Sequence, residues 1–335
     1  MRTPSNRRRR LLGLAAVLAA SVACGSTPTG PTQQPPPPPP ELQAICPAPL
    51  ALNNVAGPTQ VEYVPPQVVG GVAPVSVVCS PASGTMFPVG ATSVSCAVSD
   101  AAARSTSCSF AVTLTEAPKL AVTQFLAFGD SLTAGEVQDS QMHFAPFVLD
   151  PSRSYPTVLQ GLLRARYISQ SPNVINQGTP GDSAVEGNAK ISAAIDAFKP
   201  QAVLLMQGII DISEGGAAGI NSMAQALKFD IRDAKRRGVP HVFISTLMPL
   251  KDGRLGGAKE LVIPANDEIR FLAGQEGAYL VDAYAAMIPQ VTTLIGGDGL
   301  HPTAEGYRVL AQTFFNEIKR RLETPATPPP LLLRR

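Results

Sequence analysis

At 335 residues the chain exceeds the usual size of one domain; 44% of it is hydrophobic, and its 33 prolines imply extended linkers beside packed cores. The net charge of +2 comes from the first 23 residues, which hold five arginines and no acid; without them 22 basic residues face 25 acidic ones. A near-neutral, slightly acidic surface gives no electrostatic reason to expect a nucleic-acid partner.

Residues 1–23 predict an export signal, with Arg2 and four arginines at 7–10 followed by an apolar stretch too short to span a bilayer. The stretch ends Ser21-Val22-Ala23-Cys24. Small residues at 21 and 23 suit an ordinary signal peptidase, which would give a secreted protein. The cysteine that follows resembles a bacterial lipobox, which implies lipidation of Cys24 and a membrane partner reached through it. Residues 24–40 end in six consecutive prolines and predict an extended polyproline stalk with no core of its own.

Residues 41–116 predict a small all-β sandwich. Val94, Cys96 and Val98 alternate with small polar residues, as do Cys108, Phe110, Val112 and Leu114, and Gly70-Gly71, Pro88 and Gly90 punctuate the strands. Besides Cys24, the only cysteines are Cys46, Cys79, Cys96 and Cys108. Clustered in an exported chain, they predict two disulfides, with three pairings open. The run from Pro81 through Gly90, then Val94-Ser95-Cys96 and Cys108-Ser109-Phe110, resembles the hyalin repeat, an immunoglobulin-like module. That resemblance implies the pairs Cys46–Cys108 and Cys79–Cys96, and a spacing or adhesive unit without chemistry.

From 119 to 322 the pattern changes to α/β. Apolar runs at 122–128, 174–176, 202–206, 241–245 and 279–281 alternate with helical stretches at 156–167, 183–198, 220–237, 264–275 and 304–321. Strands alternating with helices imply a parallel sheet covered on both faces. In the last helix Tyr307, Leu310, Ala311, Phe314, Phe315 and Ile318 recur at helical spacing. Residues 323–335 are expected to form a disordered tail.

Two strings in this segment carry chemistry. The strand at 122–128 runs into Gly129-Asp130-Ser131-Leu132-Thr133, which sets a serine just past the carboxyl end of a parallel strand, where such sheets bind ligands. Asp298-Gly299-Leu300-His301-Pro302 offers an imidazole base for that hydroxyl and, three residues earlier, a carboxylate to fix its tautomer. Asp130 reads as a turn former. The other histidines, His143 and His241, lie in a loop and at the start of a buried strand. Gly181-Asp182-Ser183 is a rival nucleophile string. The stretch 136–155, with Phe144, Phe147, Val148 and Leu149, reads as the wall of an acyl pocket or as a loop packed on its own domain. No Gly-x-Ser-x-Gly elbow, phosphate-binding loop or His-Glu-x-x-His helix is present.

Phe128 to Thr133 and Asp298 to Pro302, in the order Ser, Asp, His, resemble the first and last blocks of the GDSL or SGNH hydrolase family. Asn176-Gln177-Gly178-Thr179-Pro180-Gly181-Asp182-Ser183 looks like its second block. The resemblance, over 119–322, implies a flavodoxin-like three-layer α/β/α hydrolase domain acting on esters with no metal or organic cofactor. It implies Ser131, Asp298 and His301 as catalytic residues, and the N–H groups of Ser131 and Gly181 as an oxyanion hole. The third block departs from the family: Gly208-Ile209-Ile210-Asp211 puts isoleucine where an asparagine donates to the oxyanion. Gln207 is near in sequence but is not expected to replace it. The alternative is therefore a weakly catalytic or non-catalytic surface protein that recognises acylated glycans.

Overall fold

The computed structural model describes residues 37–142, 145–253 and 255–324. The export signal, Cys24, the first two prolines of the run, His143, Phe144 and the tail from 325 lie outside the described residues. No helix among the described residues is long and apolar enough to cross a membrane.

The N-terminal module is built from β1 (Gln43–Ile45), β2 (Leu50–Val55), β3 (Thr59–Val61), β4 (Gln67–Val69), β5 (Ser76–Ser80), β6 (Thr85–Phe87), β7 (Gly90–Ser99) and β8 (Ser105–Glu116). Four of these form a sheet in the order β2-β8-β7-β5, and β1–β4 and β3–β6 form two antiparallel ribbons. Along β7 and β8 the side chains alternate: Val94, Cys96, Phe110, Val112 and Leu114 are buried, together with Val61 and Phe87 from the β3–β6 ribbon. Two disulfides lock this core, Cys46–Cys108 and Cys79–Cys96, the second joining residues directly opposite in β5 and β7.

The second module starts with β9 (Lys119–Leu120) and β10 (Gln124–Gly129). A single-turn helix α1 (Ser131–Ala134), a short hairpin β11 (Glu136–Val137) and β12 (Val148–Leu149), and helix α2 (Tyr155–Arg166) follow. Then come β13 (Asn173–Gly178), α3 (Ala184–Phe198), β14 (Ala202–Met206), α4 (Ile209–Arg236), β15 (His241–Ser245), α5 (Val262–Glu276) and β16 (Tyr279–Val281). The described residues end with α6 (Ala283–Met287), α7 (Val291–Leu294), α8 (Ala304–Leu322) and β17 (Glu323–Thr324). Five parallel strands form the sheet in the order β13-β10-β14-β15-β16. Counted along the chain this is 2-1-3-4-5, the flavodoxin-like order, with the switch point beside β10. Every residue of the central strand β14 is buried, as a strand covered on both faces requires. Helix α2 packs on α8, which also contacts α6 and α7, while α3 packs on α4 and α4 on α5, giving the two outer layers.

Two boundaries differ from expectation. Helix α4 begins at Ile209 rather than near 220, because its glycines are used for a sharp bend: Gly216 has φ +57° and ψ −140°, and a Cβ at Gly219 would stand 2.1 Å from the carbonyl oxygen of Asp211. The expected disordered tail also begins too early. Glu323 and Thr324 form β17, antiparallel to β9, and the Glu323 carboxylate takes hydrogen bonds from Arg166 (2.6 and 2.9 Å) and Tyr167 (2.8 Å). The Arg166 partner of Glu323 lies 157 residues earlier in the chain, so no local pattern after the helix shows it.

Candidate active site

The switch point places Gly129 and Ser131 at the carboxyl edge of the sheet. Gly129 lies so close to its neighbours that a Cβ there would stand 2.2 Å from both the Met206 carbonyl oxygen and Thr133 Oγ1, so the turn accepts only glycine. Asp130 caps α1: its Oδ1 accepts the Leu132 N–H at 2.9 Å. Burial, with Asp211 and Glu136 adding negative charge nearby, pushes the Asp130 carboxyl up to about 7, against the Leu132 hydrogen bond. Ser131 follows and is only 4% exposed.

On the same rim, the loop between α7 and α8 carries Asp298 and His301, 4% and 2% exposed. His301 Nε2 lies 3.2 Å from Ser131 Oγ, and His301 Nδ1 lies 2.6 Å from Asp298 Oδ2. The other oxygen of Asp298 accepts the N–H groups of Leu300 and His301, each at 3.0 Å. Burial opposes ionisation of Asp298, but these hydrogen bonds, led by that of His301, outweigh it and hold its carboxyl below the usual range. A proton held at Nδ1 leaves the Nε2 lone pair facing the serine hydroxyl. The three residues predicted from sequence are thus in one hydrogen-bonded row, across 170 residues of chain.

The second block sits beside α1. Asn176 Nδ2 donates to the Thr133 carbonyl (2.9 Å), and its Oδ1 accepts the Gly178 N–H (2.9 Å). Gly181 has φ +81° and open space where a Cβ would be. Among the described residues the backbone N–H groups of Ser131 and Gly181 meet no protein acceptor. Ser183, the rival nucleophile, is instead the N-cap of α3, in a capping box with Glu186. Asp211 of the third block accepts the Ala184 N–H at 2.7 Å and so holds the start of α3 beside the site. Gln207 Nε2 donates to the Ser183 carbonyl at 3.2 Å, and Ile210 packs against the apolar core.

The stretch after α1 covers the site. Phe147 lies against the His301 ring, centroids 4.4 Å apart, while Gln138 N–H bonds to the Pro302 carbonyl and Asp139 accepts the Ala304 N–H. Sequence reasoning missed one residue of this stretch. Glu136 Oε2 lies 2.9 Å from His301 Nε2, the same nitrogen that faces Ser131. Its only sequence signal was an acidic residue directly after the glycine, Gly135, that ends α1 in the left-handed region.

Residues 127–309 match the model of the GDSL-like lipase/acylhydrolase family, and residues 55–114 match the HYR (hyalin repeat) domain. The chain belongs to the GDSL-like lipase/acylhydrolase family. It is a carboxylic ester hydrolase preceded by a hyalin-repeat module. No curated protein matches the chain. Among solved structures it is similar to Est24, a carbohydrate acetylesterase from Sinorhizobium meliloti (17% identity, TM-score 0.51, covering 58% of this chain and 98% of that one). It is similar also to the M. smegmatis aryl esterase (18%, 0.51, 58% and 98%) and to a lipase/acylhydrolase from Enterococcus faecalis (24%, 0.50, 59% and 96%). At these identities the likeness shows the shared fold.

Proposed function

We propose that this protein is an exported serine esterase that cleaves carboxylic esters through an acyl-enzyme on Ser131. The observation that carries the reading is the buried row Asp298–His301–Ser131, with contacts of 2.6 and 3.2 Å. His301 Nε2 takes the hydroxyl proton as Ser131 Oγ attacks the ester carbonyl, and the unpaired N–H groups of Ser131 and Gly181 receive the developing oxyanion. The imidazolium, stabilised by ionised Asp298, passes its proton to the leaving alcohol as the carbon–oxygen bond breaks. Water then adds to the acyl-enzyme, giving one proton to His301, and the serine leaves with that proton as the acid is released. Each step uses side chains and backbone of this chain alone. The structural neighbours named as carbohydrate acetylesterase and aryl esterase agree with carboxylic esters as the substrate class.

Ser131→Ala removes the attacking atom, so turnover of a short-chain nitrophenyl ester falls to background, and a fluorophosphonate probe labels the unaltered protein at Ser131. Turnover that survives the substitution would overturn this reading. The two disulfides support an oxidising compartment, and within the same proposal Cys24, outside the described residues, carries a lipid that ties the mature chain to a membrane.

A further inference from the structure

Glu136 is held in place by its backbone and leaves its side chain to the site. Its carbonyl oxygen accepts the hydroxyl of the buried Tyr307 at 2.9 Å, and two residues on, Gln138 N–H bonds to Pro302, next to His301. The Glu136 side chain is 14% exposed against 3% for the His301 side chain, so of the two it is the one that opens toward an entering molecule. Among the described residues, its carboxylate makes no polar contact besides His301 Nε2 at 2.9 Å. Asp130 lies within electrostatic reach of both Glu136 and Asp211, and Lys251, which feels Asp298, gives its ammonium to Gln141 and to the Ile295 carbonyl rather than to Glu136.

The proposed reaction fixes what must come next to this carboxylate. The leaving oxygen has to lie within about 3 Å of Nε2 to receive its proton, and Glu136 Oε2 already lies 2.9 Å from that nitrogen. The alcohol half of the ester therefore enters beside Glu136. An ionised carboxylate only accepts hydrogen bonds, and in a partly desolvated site it repels a second anion more strongly than in water. A hydroxyl on the carbon next to the ester oxygen spans the gap to Oε2. We propose that Glu136 determines specificity for the alcohol half of the ester: it accepts a hydrogen bond from a hydroxyl beside the scissile oxygen and disfavours alcohols that carry a negative charge there. This rests on Ser131 as the nucleophile.

The test is kcat/KM for three acetyl esters with the same acyl group: 1-acetylglycerol, propyl acetate and 1-acetylglycerol 3-phosphate, on the unaltered protein, Glu136→Ala and Glu136→Gln. The unaltered enzyme prefers acetylglycerol to propyl acetate by roughly tenfold, the worth of one hydrogen bond to a charged acceptor, and uses the phosphate least. In Glu136→Ala the first ratio falls toward one and the phosphate penalty shrinks. Glu136→Gln, isosteric and still an acceptor, keeps part of the hydroxyl preference and loses the charge penalty. Ratios unchanged in both variants, while Ser131→Ala is inactive on all three esters, overturn the role of Glu136 alone. Turnover that persists in Ser131→Ala overturns the nucleophile and this proposal together.

Discussion

Ile210 stands where the resemblance to the GDSL or SGNH family implies a side-chain donor, and the nearby Gln207 amide gives a hydrogen bond to the Ser183 carbonyl. An oxyanion hole short of one donor loses roughly 10²–10³ in kcat, or about 3–4 kcal/mol of transition-state stabilisation. Ile210→Asn is therefore expected to raise kcat on a nitrophenyl ester with a smaller change in KM, since the gain exists only where the oxyanion does. A folded variant with unchanged or lower kcat would mean that another group completes the hole. Ser131, Asp298 and His301 were legible in the sequence because a nucleophile after a strand and an Asp-x-x-His loop before a helix each need particular residue types at short spacing. Glu136 was not. Its role depends on the distance to a histidine 165 positions away, which no local pattern encodes.

At the scale of elements, the turn from β10 into α1 sets a charge against burial. An aspartate in an unfolded chain titrates near 3.9, whereas Asp130 is pushed up to about 7 in the fold. Below about pH 4 both states hold the proton; as pH rises toward 7 the unfolded chain releases it first, so this group's contribution to stability declines across that window by a few kcal/mol at most. Asparagine keeps the oxygen that caps Leu132 and carries no charge. The difference in melting temperature, Asp130→Asn minus unaltered protein, is expected to be more positive at pH 8 than at pH 5; a difference independent of pH would contradict the raised value. Strands β10 and β14 to β16 were readable almost to the residue because they are short apolar runs that end at the sheet's edge. The start of α4 was not, because glycines that break most helices here permit a bend and a close backbone contact. Glu323 and Thr324 escaped notice for a different reason, since a two-residue strand has no periodicity to detect.

Over the whole molecule, the proposed catalytic residues lie in the cysteine-free α/β domain, and both disulfides lie in the hyalin-repeat module. That division suits an enzyme carried on a cross-linked spacer outside the cytosol. If Cys24 carries the lipid, labelled palmitate enters the unaltered protein and not Cys24→Ser, and the variant moves from the membrane fraction to the soluble one; label in the variant would refute the anchor. The central claim concerns a covalent bond. Intact-mass and peptide analysis of the protein mixed with nitrophenyl acetate and quenched in acid within the first turnovers should find one acetyl group, on Ser131, and none in His301→Ala. Acetyl on Ser183, or steady turnover with no acylated serine at any time point, would contradict the account.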